Sequence, residues 1–133
     1  MYMRENQKDY WEFIRHLKND PLSRENSVDS HIILASEHES YMNLYGDRYY
    51  ICFEGDQPIG YVGYSSDNYI SIAVVPNNRG KGVGKFMLSY IKGTAGPGRT
   101  KATVRVANEA SVRLFEACGF IKKYYIFEGD END

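Results

Sequence analysis

The sequence has few cysteines, no excess of basic residues and no long apolar run, and each absence excludes a class of protein. Cys52 and Cys118 are far apart, without a CxxC pair or a histidine cluster, so neither a zinc site nor a disulfide framework is indicated. The formal net charge of −2 argues against a nucleic-acid-binding protein. No segment approaches the roughly 18 apolar residues of a transmembrane helix, and the N-terminus is too polar for a signal peptide. We therefore expect no metal, nucleic acid or membrane partner, and a reducing, cytoplasmic location.

The length of 133 residues predicts one domain, residues 1–133. A chain of this size buries roughly two thirds of its unfolded surface, so one core is sufficient. The end of the chain is acidic and offers nothing apolar to pack, so residues 128–133 are expected to fray.

Hydrophobic periodicity divides the chain into helices and strands. Apolar residues from Tyr10 to Leu17 recur at helical spacing. Residues 48–76 are instead rich in aromatic and β-branched side chains separated by turn signals, which predicts an antiparallel meander. The predicted helices cover roughly residues 7–18, 36–46, 80–93 and 108–119, and the predicted strands cover 48–55, 57–66, 68–76, 100–108 and 120–128.

This order of elements predicts an α+β (mixed α/β) fold. The strands at 68–76 and 100–108 should be parallel, because a helix crosses between them. Ser36 and Glu39 form a capping-box pattern at the start of the second helix. No convincing strand precedes the first helix, which leaves MYMRE and SHIIL as the two candidates.

The segment RGKGVG, residues 79–84, joins the strand SIAVV to a helical pattern. Glycine at every second position lets a ligand lie against the backbone and lets the chain adopt positive φ angles. Free N–H groups and the positive end of the helix dipole would face that ligand, and Arg79, Lys81 and Lys85 add charge. The pattern favours a phosphate or pyrophosphate, although a plain glycine-rich turn beside solvated lysines fits these residues equally well.

Two other phosphate-binding loops do not match this segment. A P-loop needs Ser or Thr after Gly-Lys, and the chain has GKFM. A dinucleotide-binding loop follows the first strand of a βαβ unit and precedes an acidic residue by about 20 positions. Here three antiparallel strands are predicted to come first, and the later segment reads TKATV, without an acid.

VVPNNRGKGVGKFML resembles the signature of the GNAT N-acetyltransferase superfamily, in which V-x-P precedes R/Q-x-x-G-x-G/A. Downstream, NEASVRLFEACGF is similar to the family's second element, N-x-x-A-x-x-L-Y-x-x-x-G-F. With the strand order, the resemblance covers about residues 48–128. It implies a GNAT-like fold with a mostly antiparallel central sheet, two splayed parallel strands and helices on both faces.

The resemblance also implies acetyl-CoA as the donor, without a metal. The pantetheine would pair with the strand at residues 72–74, and the N–H of Val74 or Val75 would stabilise the tetrahedral oxygen. The pyrophosphate would rest on the N–H groups of residues 80–85. Asn108 fits a helix N-cap and, by resemblance, a pantetheine contact. The residues implied to bind the cofactor are Ile72, Ala73, Val74, Val75, Arg79, Gly80, Lys81, Gly82, Val83, Gly84, Lys85, Asn108 and Phe115.

The sequence departs from the family at the groups that move protons. Phe115 stands where the family often has a tyrosine, and a phenyl ring cannot protonate the leaving thiolate. No glutamate occupies the usual positions of the general base. Weaker candidates near the acceptor are Glu37, His38 and Tyr125, while Cys118 is interpreted as a structural thiol. A neutral amine that attacks directly, with water carrying the proton, needs no catalytic side chain.

Residues 19–42 should select the acceptor, because the first two helices cover that side of the sheet in the family. Their pattern is similar to a branch that acetylates nucleotide-linked amino sugars, in which Arg24 would suit a phosphate and Glu37 and His38 the acceptor. A plain polar connection between helices fits equally well. The expected reaction is acetyl transfer to a primary amine of a small molecule. Acetylation of a protein N-terminus or lysine, and non-catalytic acyl-CoA binding, stay open, as does a homodimer.

Overall fold

The computed structural model describes residues 1–26, 31–96 and 98–130. The last three residues of the predicted acidic tail lie outside the described residues. Within these ranges the strands are β1 (Tyr2–Glu5), β2 (Tyr49–Glu54), β3 (Gln57–Tyr64) and β4 (Ile70–Val74). The helices are α1 (Trp11–Asn19), α2 (Pro21–Glu25), α3 (Ala35–Tyr45), α4 (Val83–Ala95) and α5 (Glu109–Ala117).

The four strands form one antiparallel sheet in the order β1-β2-β3-β4. β1 lies in MYMRE, the first of the two candidate segments, and places Met3 opposite Cys52 of β2. β2, β3 and β4 pair as consecutive antiparallel neighbours. The predicted meander is therefore confirmed.

The segment NDP ends the first helix as predicted, and it also starts a helix that the sequence pattern did not indicate. Asp20 has a non-helical ψ of 134°, because the residue before a proline is kept out of the helical region. Pro21 then begins α2, where its fixed φ suits a helix and its missing N–H would have had no acceptor. The Asp20 carboxylate caps α2 by accepting from the Ser23 N–H at 3.4 Å.

Helix α3 begins at Ala35, and the predicted capping box of Ser36 and Glu39 is wrong. The N-cap is Leu34, whose N–H donates to Glu37 Oε1 at 3.0 Å. Leucine has no side-chain acceptor, so only one of the two capping-box hydrogen bonds forms.

Helices cover both faces of the sheet, as the fold class predicts. Side chains alternate along each strand, so Ile51 and Cys52 of β2 point into different cores. The core on the α4 side contains Cys52, Ile59, Val62, Val83, Met87, Leu88, Ile91 and Phe115. The core on the α1 side contains Ile14, Leu17, Met42, Tyr49, Ile51, Phe53 and Tyr61.

The predicted strand at residues 100–108 is reduced to a single parallel bridge between Tyr69 and Lys101. The Ile70 N–H donates to the Lys101 carbonyl at 2.8 Å. No strand is assigned to residues 102–108, although Ala102 and Val104 still pack on the core of the α4 side. The parallel direction is as predicted, but the extended pairing with β4 is not formed.

The predicted last strand, residues 120–128, is wrong: no strand is assigned in this segment. Tyr124, Tyr125 and Phe127 are 87%, 85% and 92% exposed. The alternating apolar pattern indicates a local preference for extended backbone. A strand also needs an adjacent strand whose N–H and C=O groups pair with its own. No such neighbour pairs with this segment in the described chain.

Candidate active site

The loop between β4 and α4 has the geometry of an anion cradle. Gly80 and Gly82 adopt positive φ angles of 76° and 83°, which residues with a Cβ rarely adopt. Gly82 is the N-cap of α4, and the N–H groups of the first helical turn have no acceptor within the helix. Lys81 and Lys85 are exposed beside them. The loop therefore offers backbone donors, a helix dipole and positive charge to one anionic ligand.

Gly84 differs from the other two glycines of the loop. A Cβ at this position would lie 3.1 Å from Leu114 Cδ2 on α5. The absence of a side chain therefore lets α4 and α5 approach each other closely. Gly84 contributes to the cradle through this packing and through its backbone, rather than through an unusual φ angle.

A cleft lies along β4, where the chain beyond Lys101 no longer pairs with this strand. Its volume is about 590 Å³. It is bounded by β4, by residues 102–104, by the start of α5 and by α2. Of the predicted cofactor-binding residues, those that line the cleft are Ile72, Ala73, Val74, Arg79, Asn108 and Phe115.

The backbone of β4 directs unpaired groups into this cleft. In an antiparallel pair, successive residues alternate between facing the partner strand and facing away from it. The Val75 N–H faces β3 and donates to the Ile59 carbonyl at 2.8 Å, whereas the Ile70 N–H faces away from β3. By the same alternation, the N–H groups of Ile72 and Val74 face the cleft. Of the two candidate oxyanion donors, Val74 is therefore directed into the cleft and Val75 is engaged in the sheet.

Arg79 turns its side chain back towards the sheet. Its Nε donates to the Val74 carbonyl at 3.1 Å, and its Nη2 donates to Asp20 Oδ2 at 3.2 Å. The Arg79 charge is thus paired with a carboxylate. The unpaired positive charge at the loop comes from Lys81 and Lys85, for which no ion pair is found in the described chain.

Asn108 and Phe115 lie where the sequence analysis expected them. Asn108 is the N-cap of α5, and its Oδ1 accepts from the Ser111 N–H at 3.3 Å. Its side-chain NH₂ makes no hydrogen bond within the described residues, so it can serve a ligand in the cleft. Phe115 packs edge-on against Phe120, with 5.2 Å between ring centroids. Asn108 can therefore cap the helix and contact a ligand at the same time.

The structure does not bring Glu37 and His38 to the cleft. The Glu37 carboxylate caps α3, as described above, and lies 3.9 Å from His31 Nε2. His38 is 3% exposed, and its Nε2 has no partner in the described structure. Burial, and then the charge of Lys18, lower the pKa of His38 to about 4. An enclosed neutral imidazole has no contact with the cleft, so the predicted catalytic and substrate-binding roles of this pair find no support in the geometry.

Three further candidates also lie outside the cleft lining. Tyr125 is exposed on the C-terminal segment that follows α5. Arg24 belongs to the last turn of α2, although its neighbour Ser23 does line the cleft. The Cys118 side chain is half-buried and packs against the core on the α4 side.

The sequence analysis missed two hydroxyl groups that meet in the cleft. The Tyr61 hydroxyl and Ser71 Oγ are 2.9 Å apart, and both residues line the cleft. Since one hydroxyl donates to the other, the pair retains one proton and free lone pairs for a ligand. Alternation along NYISIAVV predicts that Ser71 faces away from Ile70 and Ile72, but the partner on β3 is visible only in the fold.

Lys18 is a second feature that sequence reasoning missed. Its Nζ lies 5.2, 4.9 and 5.8 Å from the ring centroids of Tyr41, Tyr49 and Tyr61. No carboxylate pairs with it among the described residues. The ring faces stabilise the ammonium, but burial still lowers the pKa of Lys18 to about 8.

We expect this half-buried lysine to make the free energy of unfolding depend on pH in the alkaline range. The unfolded chain holds the Lys18 proton up to about 10.5, whereas the folded chain releases it near 8, so the unfolded state binds more protons in this window. The free energy of unfolding of the wild type, relative to Lys18→Met, should therefore rise by up to about 3 kcal/mol as pH rises through the window. Urea unfolding of both proteins across this pH range measures the difference. Parallel pH profiles would contradict the burial of an unpaired ammonium.

The described residues contain no group of three or more His, Cys, Asp or Glu side chains that could hold a metal ion. Among the helices that the structure describes, none combines the length and the apolar character needed to cross a membrane.

Several solved structures share the fold of this chain. A spermidine N-acetyltransferase from Vibrio cholerae, solved with CoA and spermine, superposes with a TM-score of 0.79 at 19% identity, covering 96% of this chain and 85% of that one. A ribosomal-protein-alanine N-acetyltransferase from Brucella melitensis gives 0.76 at 18% identity, with 90% and 83% covered. The yncA protein from Salmonella typhimurium, solved with acetyl-CoA, gives 0.74 at 22% identity, with 90% and 79% covered. At these identities the likeness establishes the fold alone.

The family comparison is more direct. Among curated protein sequences, no relative matches this chain. The model of the acetyltransferase (GNAT) family, however, matches residues 5–120. This range contains β1, the glycine loop, the cleft and α5. The chain therefore belongs to the GNAT acetyltransferase family.

Proposed function

We propose that the protein transfers an acetyl group from acetyl-CoA to a primary amine of a small, hydroxyl-bearing molecule such as a nucleotide-linked amino sugar. The observation that carries this proposal is the chemistry of the cleft. Its lining contains hydroxyl and amide side chains but no carboxylate within the described residues. The polar neutral side chains that line it are Ser23, Asn26, Tyr61, Tyr69, Ser71, Thr103, Asn108 and Ser111.

Acetyl-CoA fits the groups that the loop and β4 leave unpaired. The N–H groups of residues 80–85 suit the pyrophosphate, because the loop concentrates donors at a helix N-terminus. The pantetheine amides find hydrogen-bonding partners in the cleft-facing backbone of Ile72 and a further donor in the free NH₂ of Asn108, which leaves the Val74 N–H for the thioester oxygen. Phe115 supplies an apolar surface beside them.

The residues of the cleft define a simple route for the reaction. The neutral acceptor amine attacks the thioester carbonyl carbon, and the Val74 N–H stabilises the negative charge on the tetrahedral oxygen. The C–S bond then breaks, the amide forms, and the proton lost by the amine balances the charge of the departing thiolate. The hydroxyl pair of Tyr61 and Ser71 accepts a hydrogen bond from the amine and orients its lone pair.

The charge of the cleft argues for a neutral rather than a polycationic acceptor. The Vibrio cholerae neighbour was solved with spermine, and a polyamine binds best where carboxylates offset its charges. The charged residue of the present cleft lining is Arg79, whose charge is paired with Asp20, so among the described residues no unpaired carboxylate lines the cleft to receive a polycation. Sugar hydroxyls, by contrast, match the hydroxyl and amide side chains, and tyrosine rings provide stacking surfaces for a sugar or base.

A panel of amines tests the proposal. With acetyl-CoA present, release of the CoA thiol should be measured for a UDP-linked amino sugar, glucosamine, spermidine and an alanine-terminal peptide. We expect kcat/KM for the nucleotide-linked sugar to exceed that for spermidine by at least about tenfold, because the cleft supplies hydrogen bonds rather than counter-charges. A preference for spermidine or the peptide would contradict the acceptor class. CoA binding without turnover of any amine would instead identify a non-catalytic acyl-CoA-binding module.

A further inference from the structure

Helix α2 forms one wall of the cleft, but none of its residues belongs to either hydrophobic core. Leu22 and Ser23 line the cleft, and Asn26 follows directly after the helix. None of the helix residues is buried, and Leu22 is 45% exposed. A five-residue helix is too short to be stable by itself. Contacts at the start of the helix can therefore contribute to the position of this wall.

One ion pair connects the start of α2 to the glycine loop. Asp20 Oδ2, which caps the helix, accepts from Arg79 Nη2 at 3.2 Å. The same guanidinium donates from Nε to the Val74 carbonyl at 3.1 Å. Partial desolvation would raise the pKa of Asp20, but the hydrogen bonds from Arg79 and Ser23 outweigh it, so the pKa is lowered and the pair is charged at neutral pH. Arg79, the residue before Gly80, thus joins the cap of α2 to the end of β4.

We infer that Asp20 and Arg79 are positioning residues, through which acetyl-CoA bound at the glycine loop orders the α2 wall of the acceptor site. This inference rests on the proposed function, since it requires the loop to hold the CoA pyrophosphate. A ligand on the N–H groups of residues 80–85 restricts the loop, and with it the backbone of Arg79. A restricted guanidinium holds the Asp20 cap, which keeps Leu22 and Ser23 against the cleft. The acceptor amine would therefore find the α2 wall ordered only after acetyl-CoA has bound.

Hydrogen exchange with and without saturating CoA tests the connection, because it needs no acceptor. In the wild type, CoA should slow exchange both in the loop, residues 80–86, and in α2, residues 21–26. In Asp20→Asn the amide oxygen can still cap Ser23, but the charged partner of Arg79 is gone. We expect Asp20→Asn and Arg79→Met to keep the slowing in the loop and to lose it in α2. Glu12→Gln is the matched control, since it removes an ion pair with Arg15 on α1, away from the cleft.

Kinetics with the best amine of the panel provide a second measurement. Loss of the charge-assisted hydrogen bond between Arg79 and Asp20 should raise the KM of the amine by about tenfold in Asp20→Asn, and by at least as much in Arg79→Met, which also loses the hydrogen bond to the Val74 carbonyl. In Asp20→Asn the KM of acetyl-CoA should change by less than about twofold, because Arg79 and the loop donors remain. Equal changes in both KM values, or α2 exchange that responds to CoA in the variants as in the wild type, would overturn the inference. If CoA slows exchange in neither segment of the wild type, the assignment of the loop fails, and the proposed function fails with it.

Discussion

Gly82→Asp is expected to weaken CoA binding by about 100-fold or more, because it places a carboxylate beside the pyrophosphate. Gly82 is the N-cap of α4 at a φ of 83°, and a Cβ there would have nothing within 4 Å. The side chain therefore fits without a clash, and aspartate tolerates this backbone conformation better than most residues. Calorimetric titration with CoA measures the change, and thermal unfolding confirms that the fold is retained.

Gly82→Asn is the matched control for this experiment. Asparagine has almost the same shape as aspartate and an equal tolerance of positive φ, but it carries no charge. We expect it to weaken CoA binding by no more than about tenfold, through backbone strain and crowding of the loop. Equal losses in the two variants would show that the loop does not act through its electrostatics, and the anion cradle would then be wrong.

Gly63→Ala is expected to destabilise the protein by about 3 kcal/mol or more, the upper end of what overpacking a core does. A Cβ at Gly63 would clash with Cδ1 of Tyr49, and Cγ and Cε1 of the same ring lie nearly as close. The Tyr49 ring cannot move aside, since it is 2% exposed and its hydroxyl is 2.8 Å from that of Tyr41. The backbone of β3 must shift instead, and with it the strand that positions β4.

Gly93→Ala provides the comparison within the same chain. Gly93 lies inside α4, and a Cβ there would meet nothing within 4 Å. Alanine in a helix interior is more favourable than glycine, so we expect this variant to be stabilised by about 0.5–1 kcal/mol. Urea unfolding followed by fluorescence measures both variants. If Gly63→Ala fails to fold, Tyr49→Leu in the same chain should restore a folded protein, whereas wild-type stability in the single variant would contradict the packing of Tyr49.

The candidate site divides into parts that were predictable from the sequence and parts that were not. The loop at residues 79–84 was predictable, because glycines at helix starts and the cations beside them act within a few residues. Asn108 as the cap of α5 was predictable for the same reason. Glu37 and His38 were misplaced, because a pattern in one helix does not show which of its faces is covered by α1. Burial of His38 is a property of the packed helices.

Some helices and strands of the fold were likewise predictable from the sequence, and others were not. The meander of β2, β3 and β4 followed from composition and turn signals. Residues 100–108 and 120–128 have the alternation of strands, yet the described chain pairs only Lys101 of these segments. Strand pairing requires a neighbour that local sequence does not specify. Similarly, NDP marked the end of α1, but the hydrogen bond between Asp20 and Arg79, which lies far along the chain, is visible only in the fold.

The sequence by itself determined the family, the antiparallel meander and the glycine loop at the start of α4, since each is encoded in contiguous residues whose backbone preferences act locally. Tertiary structure alone decided where the cleft opens, that Val74 rather than Val75 faces it, that Tyr61 and Ser71 meet in it, and that Asp20 pairs with Arg79. These features arise when groups distant in the chain compete for the same space and the same hydrogen-bonding partners. The cleft-facing N–H groups of β4 illustrate this, because they are left without a partner only where the chain beyond Lys101 stops pairing with that strand.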